Sequence, residues 1–515
     1  MPPITNIFVL MLENHSFDHI FAMSGIPGIR AATVRDCNYY ALSTYCVQDG
    51  APASMTTDPG HEFEDVVQQL CGCNQTYTPG KAYPAIDNSG FACNYATSIS
   101  ENTGKPAPDH IGDIMACFNT PMQLPVIYEL ACEFALCDNW SSSMPGPTWP
   151  NRFFMHGASS AGLDRSPNFG EEVEWLSFDG FRYEHGSIFD ALKNAGHQWR
   201  LYNDYYNRYS DQPSSWEDGG WISQAASLKN IHLRDVHPLD SSTGSSPRAD
   251  LFAADLQKSY PYPYTFIEPN FGRSFGTPLT YKGGSSQHPE DDPHGGEGLI
   301  KAVYEAIRNS PLWNTSLLVI TYDEHGGFYD SVKPLPATPP GDAMMDHLKG
   351  TTNGFDFSLY GVRVPAVIVS PLIPKGTVDH TLYDHSSILA TLERLLHMNP
   401  LTNRDASAND LRGLLTEPQP REDCPLVLPS PSPSIMDKQI PTEAMTAEMS
   451  EQPIPASGNT IGFLHVLLKA ELTGADGNAQ AGILQRFRSM TTVGDARAYI
   501  GRMRAQIESA RQRAG

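Results

Sequence analysis

The letters DEH at positions 323–325 place two carboxylates beside an imidazole. Carboxylate oxygens and imidazole nitrogens bind divalent cations, and a bound cation can in turn neutralise a phosphate. Gly326 and Gly327 follow, and glycines let the backbone turn sharply and approach a ligand closely. The pattern indicates a cation or phosphate site. The alternative is an acidic strand end that only borders a solvated turn.

Thr148 is a candidate nucleophile, because its hydroxyl lies in the constrained loop MPGPTWPNR, just before Pro150. Proline is favoured in the first turn of a helix, so this loop is expected to lead into one. The unpaired N–H groups and the positive dipole end of a helix start stabilise an alkoxide or a phosphoryl group. Ordinary N-capping uses threonine in the same place and is the alternative.

Several histidines stand at turns or helix starts. His61 ends the tight turn DPGH, His288 lies in the loop GGSSQHPEDDPHGGE, and His385 precedes the helix that begins in YDHSS. An imidazole near neutral pH is suited to proton transfer. A single histidine in such a place is more often structural than catalytic, but the three together favour a functional role. His294, in the same loop as His288, is a further candidate ligand.

The strands that must position these groups are predicted from apolar runs at 4–12, 134–140, 199–202, 264–268, 317–321 and 364–370. Continuous runs of this kind are typical of strands covered on both faces in a parallel sheet. In an open α/β sheet, ligands bind outside the carboxyl ends of the strands. Glu13 and Asn14 follow the first strand, and Asp323 and Glu324 follow the run at 317–321. We therefore expect them to converge on one ion within reach of Thr148.

Helices are predicted to begin near Glu62 and Tyr383 and to cover 298–309, 461–468 and 493–507. Residues 416–457 are rich in Pro, Ser and Glu without periodicity, which is typical of a linker or a surface strap. The chain is therefore divided into a main domain at 1–415, a linker or strap at 416–460 and a helical segment at 461–515. The narrow apolar stripe of the last helix is expected to dock on its own domain. A partner or a membrane surface is the alternative.

Composition limits the class of partner. The chain has 515 residues, of which 40% are hydrophobic and 18% charged, and a formal net charge of -23. Binding to nucleic acid needs clustered Lys and Arg, so this charge argues against it. The 42 Pro and 42 Gly predict many long, ordered loops over a compact sheet. No stretch approaches the roughly 20 apolar residues of a membrane span, so at most peripheral membrane contact is expected.

The cysteines do not decide between a cytosolic and an extracellular location. The run at 7–12 lacks the features of a signal peptide, so a cytosolic location is the default expectation. However, every cysteine except Cys424 lies before residue 138, and such crowding fits disulfides formed in an extracellular, oxidising environment. Reduced core thiols are a second reading. A zinc site is the least favoured, because Cys71 and Cys73 lack the usual two-residue spacer.

Six motifs in their order along the chain resemble one known family. They are ENHSFDH, DPGH, PTWPNR, HPEDDPHGGE, TYDEHGGFYD and VPAVIVSPLIPKGTVDHTLYDHSSIL, and together they span about residues 4–400. Their combination resembles the phosphoesterase family that holds bacterial and plant non-specific phospholipases C and some secreted acid phosphatases. The resemblance implies a fold similar to the alkaline phosphatase superfamily: an α/β fold with a mostly parallel central sheet between helices. Long loops and the helical C-terminal extension are expected around it.

The resemblance also implies roles for single residues. Thr148 corresponds to the nucleophile, and three histidines to groups that bind phosphate or move protons: His61, His288 and His385. The metal pocket corresponds to Glu13, Asn14, Asp323 and Glu324. Substrate phosphate is expected at Asn14, Asn151 and His294. The sequence departs from the family pattern at His15, where Arg is common, and at Ser331, where His is often found.

The expected reaction is metal-dependent hydrolysis of a phosphoric ester, of the phospholipase C type, through a phospho-threonine intermediate. The divalent ion is left open between Ca, Zn, Mg and Fe. Acid phosphatase activity on soluble phosphomonoesters is the first alternative, and a non-catalytic binding protein is a weaker one. A sulfatase-like activity is disfavoured, because sulfatases carry Cys or Ser in C/S-x-P-x-R where this chain has Thr148. The expected partner is a phospholipid or small phosphate ester, with no nucleic acid and no obligate protein partner evident.

Overall fold

The computed structural model describes residues 3–98, 104–168, 171, 174–175, 180–204, 224–240, 249–272, 283–434, 450–454, 459–473 and 475–514. The sequence also has an aromatic-rich run at Tyr202, Tyr205, Tyr206 and Tyr209, which lining of a substrate cleft, core packing or loop anchoring would explain equally well. Of these tyrosines, those at 205, 206 and 209 lie outside the described residues. Within the described residues, no helix combines the length and the apolar composition needed to cross a membrane.

The strands are short and mostly buried. In chain order they are β1 Asn6–Leu12, β2 Cys37–Tyr40, β3 Ser43–Cys46, β4 Gln48–Asp49, β5 Ala116–Cys117, β6 Ala135–Cys137, β7 Trp199–Asn203, β8 Val236–Pro238, β9 Tyr264–Glu268, β10 Ser316–Tyr322, β11 Ala366–Val369 and β12 Thr377–Asp379. All predicted strands are present. The run predicted at 134–140 is a strand only over β6, and the chain beyond it makes isolated bridges from Trp140 to Tyr383 and from Ser141 to Arg363.

The helices of the described residues are α1 Phe17–Phe21, α2 Phe63–Cys71, α3 Phe91–Thr97, α4 Thr120–Gln123, α5 Pro125–Glu133, α6 Thr148–Gly157, α7 Ile188–Asn194, α8 Gln224–Ser227, α9 Asp250–Leu256, α10 His294–Arg308, α11 Ser386–Leu396, α12 Asn403–Ser407, α13 Asn459–Leu472, α14 Gly477–Arg488 and α15 Val493–Ala514. Short 3₁₀ segments occupy Pro108–Met115, Leu233–Asp235, Trp313–Thr315, Asp346–Leu348 and Leu411–Leu414. The predicted helices are present, and α10 begins at His294 rather than at 298.

In the described part of the chain, the main sheet has 8 strands in the order β12-β6-β11-β10-β1-β9-β7-β8. Neighbours pair in parallel except at β11, which runs antiparallel to both β10 and β6. The mostly parallel sheet predicted from the continuous apolar runs is therefore confirmed. The long first strand and the equally long β10 lie side by side at its centre, so their carboxyl ends open at the same edge.

Successive side chains of a strand point to opposite faces, so a continuous apolar strand makes both faces of the sheet apolar. Helices cover both of these faces. On one face, Phe8 of β1 packs edge to face on Phe252 of α9, with ring centroids 5.9 Å apart. On the other, Phe266 of β9 contacts the ring of His156 in α6 at 4.9 Å. α10 packs on α5 and α9, whereas α11 packs on α6. The α/β fold with flanking helices is confirmed, and it places α6 against the strand ends.

The cysteines of the first quarter of the chain include both disulfides and free thiols, two of the possibilities that the sequence left open. Disulfides join Cys37 to Cys46 across the β2–β3 hairpin and Cys73 to Cys93. Five cysteines carry free thiols: Cys71, Cys117, Cys132, Cys137 and Cys424. The described residues contain no cysteine-based metal cluster. Disulfide stapling and buried thiols thus occur together in this chain.

Part of the segment predicted as a linker or strap forms a strap on the main domain. Residues 424–434 run along α10 from its last turn to its first: Tyr304 donates a hydrogen bond to Pro425 O at 2.7 Å, and His294 Nδ1 donates to Ser432 O at 2.6 Å. Beyond the strap, the apolar stripe of α15 is buried against the same core as β1 and β10; its described members are Val493, Ala496, Ile500 and Met503. Docking on the chain's own core is confirmed. The division at 415 and 460 stays a prediction.

Candidate active site

The central pair of strands delivers the acidic residues to one place. Leu12 lies opposite Tyr322 in the parallel register of β1 and β10, so Glu13 and Asp323 leave the sheet together. The two exits are joined, because Asp323 N–H donates to Leu12 O at 3.2 Å. Glu13, Asp323 and Glu324 are all buried. The structure therefore brings together the acidic groups that the sequence placed at two distant positions.

Asn14 is held in an unusual conformation between these exits. Its φ of 58° is left-handed, a region that asparagine tolerates better than most residues. Its N–H donates to Asp323 Oδ1 at 3.1 Å. Gly326 approaches so closely that a Cβ atom there would lie 2.1 Å from Asn14 O, and its own φ is +62°. Glycine is thus required at this crossing of the two loops.

Thr148 is the first residue of α6, as the sequence predicted, and its Oγ1 donates to Asn14 Oδ1 at 3.4 Å. The loop before it is tied by Asn151. The Asn151 carboxamide accepts from Met144 N–H at 3.1 Å and donates to the carbonyls of Met144, Gly146 and Pro147. These bonds occupy the carboxamide inside the loop that presents the hydroxyl, while its predicted contact with substrate phosphate stays untested.

Arg152 is the main residue of this site that the sequence reasoning did not assign. Its guanidinium is fully buried and pairs with Asp323 and with Glu268 at the end of β9, at 2.9 Å and 2.7 Å. Its Nη2 donates to Leu12 O at 3.1 Å. Two signals were present in the sequence: Arg152 lies one helical turn after Thr148, and Glu268 ends a predicted strand, like the other acids.

Burial and mutual repulsion raise the pKa of two carboxyls of the site, those of Glu13 and Asp323. Burial, then the charge of Asp323, raise the pKa of Glu13 to about 8, although Arg152 opposes the shift. Burial is also the largest cause that raises the pKa of Asp323. A site that concentrates buried acids in this way favours a cation.

Some polar atoms in the site have no hydrogen-bond partner among the described groups. Glu13 Oε2, Glu324 Oε1 and Asn14 Nδ2 are buried, and none of them forms a hydrogen bond with a described group. Two bare carboxylate oxygens beside the Asn14 carboxamide oxygen form a donor set that fits a divalent ion. Asp323 is engaged on both oxygens, by Arg152 and by backbone N–H groups. Within the described residues, no three His, Cys, Asp or Glu side chains alone form a metal-binding group. The amide and hydroxyl oxygens would have to complete the set.

His61 is surrounded by the carboxylates of Glu324, Asp58 and Glu62. Its Nδ1–H donates to Pro59 O at 2.8 Å, within the predicted DPGH turn. Burial on its own would lower the pKa of His61, but Glu324, Asp58 and Glu62 outweigh burial and raise the pKa to about 10. The surrounding carboxylates therefore favour the imidazolium form.

The other predicted histidines have different surroundings. His288 Nε2 lies 3.6 Å from Asp58 Oδ1, and burial, followed by the charge of His61, holds the pKa of His288 well below its usual value. His385 Nε2 donates to Asp323 O at 2.7 Å, while Trp140 donates to its Nδ1 at 3.5 Å. Burial lowers the pKa of His385 to about 4. Their predicted roles in proton transfer stay predictions. His294 contacts the strap, as described above.

Gln69 joins two of the motifs and was also missed. From α2, its side chain donates to Gly60 O at 2.6 Å and lies 2.8 Å from His325 Nε2. His325 Nδ1 in turn lies 3.4 Å from Glu324 Oε2. The DPGH turn and the DEH segment are thus braced against each other, although nothing in the spacing of Gln69 signalled this link.

Comparisons with known proteins identify the family of the chain. Residues 4–399 match the model of the Phosphoesterase family, which is more than half of the chain. The chain belongs to the Phosphoesterase family. It is therefore a hydrolase that acts on phosphoric ester bonds, and the predicted reaction class is confirmed.

The relatives of this phosphoesterase include plant and bacterial proteins. Non-specific phospholipase C6 of Arabidopsis thaliana is 35% identical over 447 residues, which cover 84% of this chain and 76% of the relative. Hemolytic phospholipase C of Pseudomonas aeruginosa is 26% identical over 424 residues, covering 76% of this chain and 52% of the relative. A solved protein of the alkaline phosphatase superfamily from Vibrio parahaemolyticus is 12% identical, covers 57% of this chain and 66% of its own, and has a TM-score of 0.30.

Proposed function

We propose that this phosphoesterase is a metal-dependent enzyme of the phospholipase C type and that Thr148 is its nucleophile. The observation that carries the proposal is the position of the Thr148 hydroxyl, 3.4 Å from Asn14 Oδ1 at the edge where the acids of β1 and β10 meet. Phosphoryl transfer depends mainly on positioning and charge neutralisation, and this site is built for both. The similarity to a non-specific phospholipase C supports a lipid substrate.

Glu13 and Glu324 would hold the ion through their bare carboxylate oxygens. The Asn14 carboxamide oxygen, which accepts the Thr148 hydroxyl, would add a third ligand. A divalent cation bound there would supply positive charge that stabilises the threonine alkoxide and the phosphate oxygens. The N–H groups of Thr148 and Trp149 in the first turn of α6 would add to this stabilisation. Asn14 Nδ2 has no acceptor among the described groups and would donate to a nonbridging phosphate oxygen.

The chain's own residues and solvent water account for the proton balance. The Thr148 hydroxyl first loses its proton to solvent water. Its alkoxide then attacks phosphorus in line, the Oγ1–P bond forms, and the P–O bond to diacylglycerol breaks. The His61 imidazolium protonates the leaving oxygen. In the second half, His61 takes a proton from a water molecule that attacks the phospho-threonine, which releases the phosphorylated headgroup and restores Thr148. We favour His61 over His385 for this role, because both ring nitrogens of His385 already have protein partners.

Hydrolysis of phosphatidylcholine vesicles and of p-nitrophenyl phosphate, measured side by side with and without chelator, tests the proposal. Thr148→Ala should lower kcat at least about a thousandfold with both substrates, because it removes the nucleophile. Thr148→Ser should retain part of the activity and form a phospho-serine that acid quenching traps. Chelator should abolish activity, and added divalent ions should restore it.

The same assay distinguishes the alternatives. Hydrolysis of p-nitrophenyl phosphate without cleavage of phosphatidylcholine would favour the acid phosphatase activity. A Thr148→Ala variant that keeps kcat within about tenfold of the unmodified enzyme would exclude Thr148 as the nucleophile. Full activity in chelator, with no divalent ion bound at any occupancy, would exclude the metal.

A further inference from the structure

Arg152 and Thr148 lie on the same side of α6. They are four residues apart, which is about one helical turn, so a shift of one side chain relative to the sheet moves the other. Arg152 is fully buried, whereas Thr148 is partly exposed at the start of the helix. The arginine is therefore placed to fix where the helix start lies, without itself reaching solvent.

The guanidinium joins α6 to three neighbouring strands of the sheet. Nη1 pairs with Glu268 at the end of β9, and Nε pairs with Asp323 just beyond β10. Nη2 donates to the carbonyls of Met11 and Leu12 at the end of β1, at 3.3 Å and 3.1 Å. A planar, forked donor can satisfy all of these acceptors at once, which a lysine ammonium cannot do in the same geometry.

The contacts close into a ring. Arg152 binds one oxygen of Asp323, and the other oxygen of Asp323 accepts the N–H of Asn14. Asn14 in turn accepts the hydroxyl of Thr148, and the first turn of α6 leads back to Arg152. Any displacement of Arg152 must therefore change the position of Thr148, of Asn14, or of both.

We infer that Arg152 is a positioning residue for the nucleophile: it holds the Thr148 hydroxyl over Asn14 and does not bind the substrate phosphate. Its guanidinium donates to four protein acceptors and has no exposed surface, so none of the contacts described is offered to a ligand. This inference rests on the proposed role of Thr148. Misplacing a reacting group by about 1 Å can cost about a hundredfold in rate.

Arg363 offers a matched control in the same protein. It is also buried, pairs with Asp330 at 2.8 Å and with Asp18 at 3.2 Å, and donates to the Asp138 carbonyl. Arg152→Lys and Arg363→Lys should therefore lower Tm by similar amounts. Only Arg152→Lys should lower kcat, by about a hundredfold, with KM within about threefold of the unmodified enzyme.

Hydrogen exchange gives a readout that does not depend on activity. Arg152→Lys should speed exchange in the peptide 144–157, which contains the Thr148 loop and α6, and Arg363→Lys should leave this peptide unchanged. If Arg152→Lys does not fold, Glu268→Gln replaces it with Asp330→Asn as its control, and a kcat loss of about tenfold is expected only for Glu268→Gln.

The outcomes separate this inference from the proposed function. Equal kcat for the Arg152→Lys and Arg363→Lys variants, with unchanged exchange at 144–157, would overturn the positioning role. A rise in KM with kcat preserved would also overturn it, because that result would mean contact with substrate. An unmodified enzyme that cleaves neither substrate would refute the proposed function, while the exchange comparison would still decide the role of Arg152.

Discussion

Asn14 combines a backbone conformation and a side-chain environment that are each costly. Its left-handed φ is held by the bond from its N–H to Asp323, and its Nδ2 is buried without an acceptor among the described groups. A buried amide that lacks a partner typically costs about 1–3 kcal/mol. Costly conformations and unpaired buried groups are common at ligand-binding sites, where a group is held ready for the ligand. A phosphate oxygen is the acceptor that the proposed function assigns to Asn14 Nδ2.

Replacing Gly326 with alanine should disrupt the site more than it disrupts the fold. The new Cβ would lie 2.1 Å from Asn14 O, so the loop must move away from the residue that accepts the Thr148 hydroxyl. We expect a kcat at least about a hundredfold lower and an unfolding free energy about 2–3 kcal/mol smaller. Vesicle hydrolysis and urea denaturation measure the two effects.

Gly376 provides the control for backbone strain alone. Its φ is +67°, close to that of Gly326, but the nearest atom to a new Cβ is 3.8 Å away. Gly376→Ala should cost about 1 kcal/mol and leave kcat unchanged. If Gly326→Ala behaved in the same way, the close approach to Asn14 would have no role in catalysis.

At the scale of elements, apolar runs located the strands, and the strand ends located most of the site. β1, β9 and β10 were predicted within two residues, so Glu13 and Asp323 were expected at one edge. The pairing of Arg152 with Glu268 was not predicted, because it joins residues 116 apart in the sequence and no local pattern reports such a contact. The helix α14 lies inside the segment predicted to be helical, although its own bounds were not predicted.

Glu393 of α11 and Asp405 of α12 form a buried pair of carboxyls. Glu393 shares a hydrogen bond with Asp405, and burial, followed by the charge of Asp405, raises the pKa of Glu393 to about 9. In the folded protein this proton is kept, whereas the unfolded chain loses it near pH 4.5. Between these values the folded state binds more protons, so stability falls as the pH rises.

Glu393→Gln should therefore stabilise the protein at pH 8 and not at pH 4.5. The amide keeps a donor toward Asp405 and needs no proton, so we expect a gain of about 1–2 kcal/mol at pH 8 that vanishes near pH 4.5. Urea denaturation at the two pH values measures the gain. Glu64→Gln on the exposed face of α2 should show no such dependence. A gain of equal size at both pH values would mean that Glu393 is ionised in the folded state.

For the whole molecule, the C-terminal helices and the main sheet share one apolar core. Leu464 and Leu467 of α13 are buried in it together with the stripe of α15. Lys469 of the same helix is buried as well, and its Nζ donates to the carbonyls of Ala226 and Leu228 at 3.1 Å each. The segment after 460 is thus fixed to the main chain by packing and by a buried amine.

This amine should make the docking depend on pH. Burial lowers the pKa of Lys469 to about 8, from about 10.5 in the unfolded chain. Below pH 8 the amine is protonated in both states; between pH 8 and 10.5 the folded protein binds fewer protons, so its stability rises with pH. Relative to Lys469→Met, the unmodified protein should gain about 2–3 kcal/mol of unfolding free energy between pH 7.5 and 10.5. Lys258→Met, at an exposed lysine, should show no such gain. Parallel curves for the unmodified protein and Lys469→Met would mean that Lys469 stays hydrated and that α13 does not cover residues 226–228.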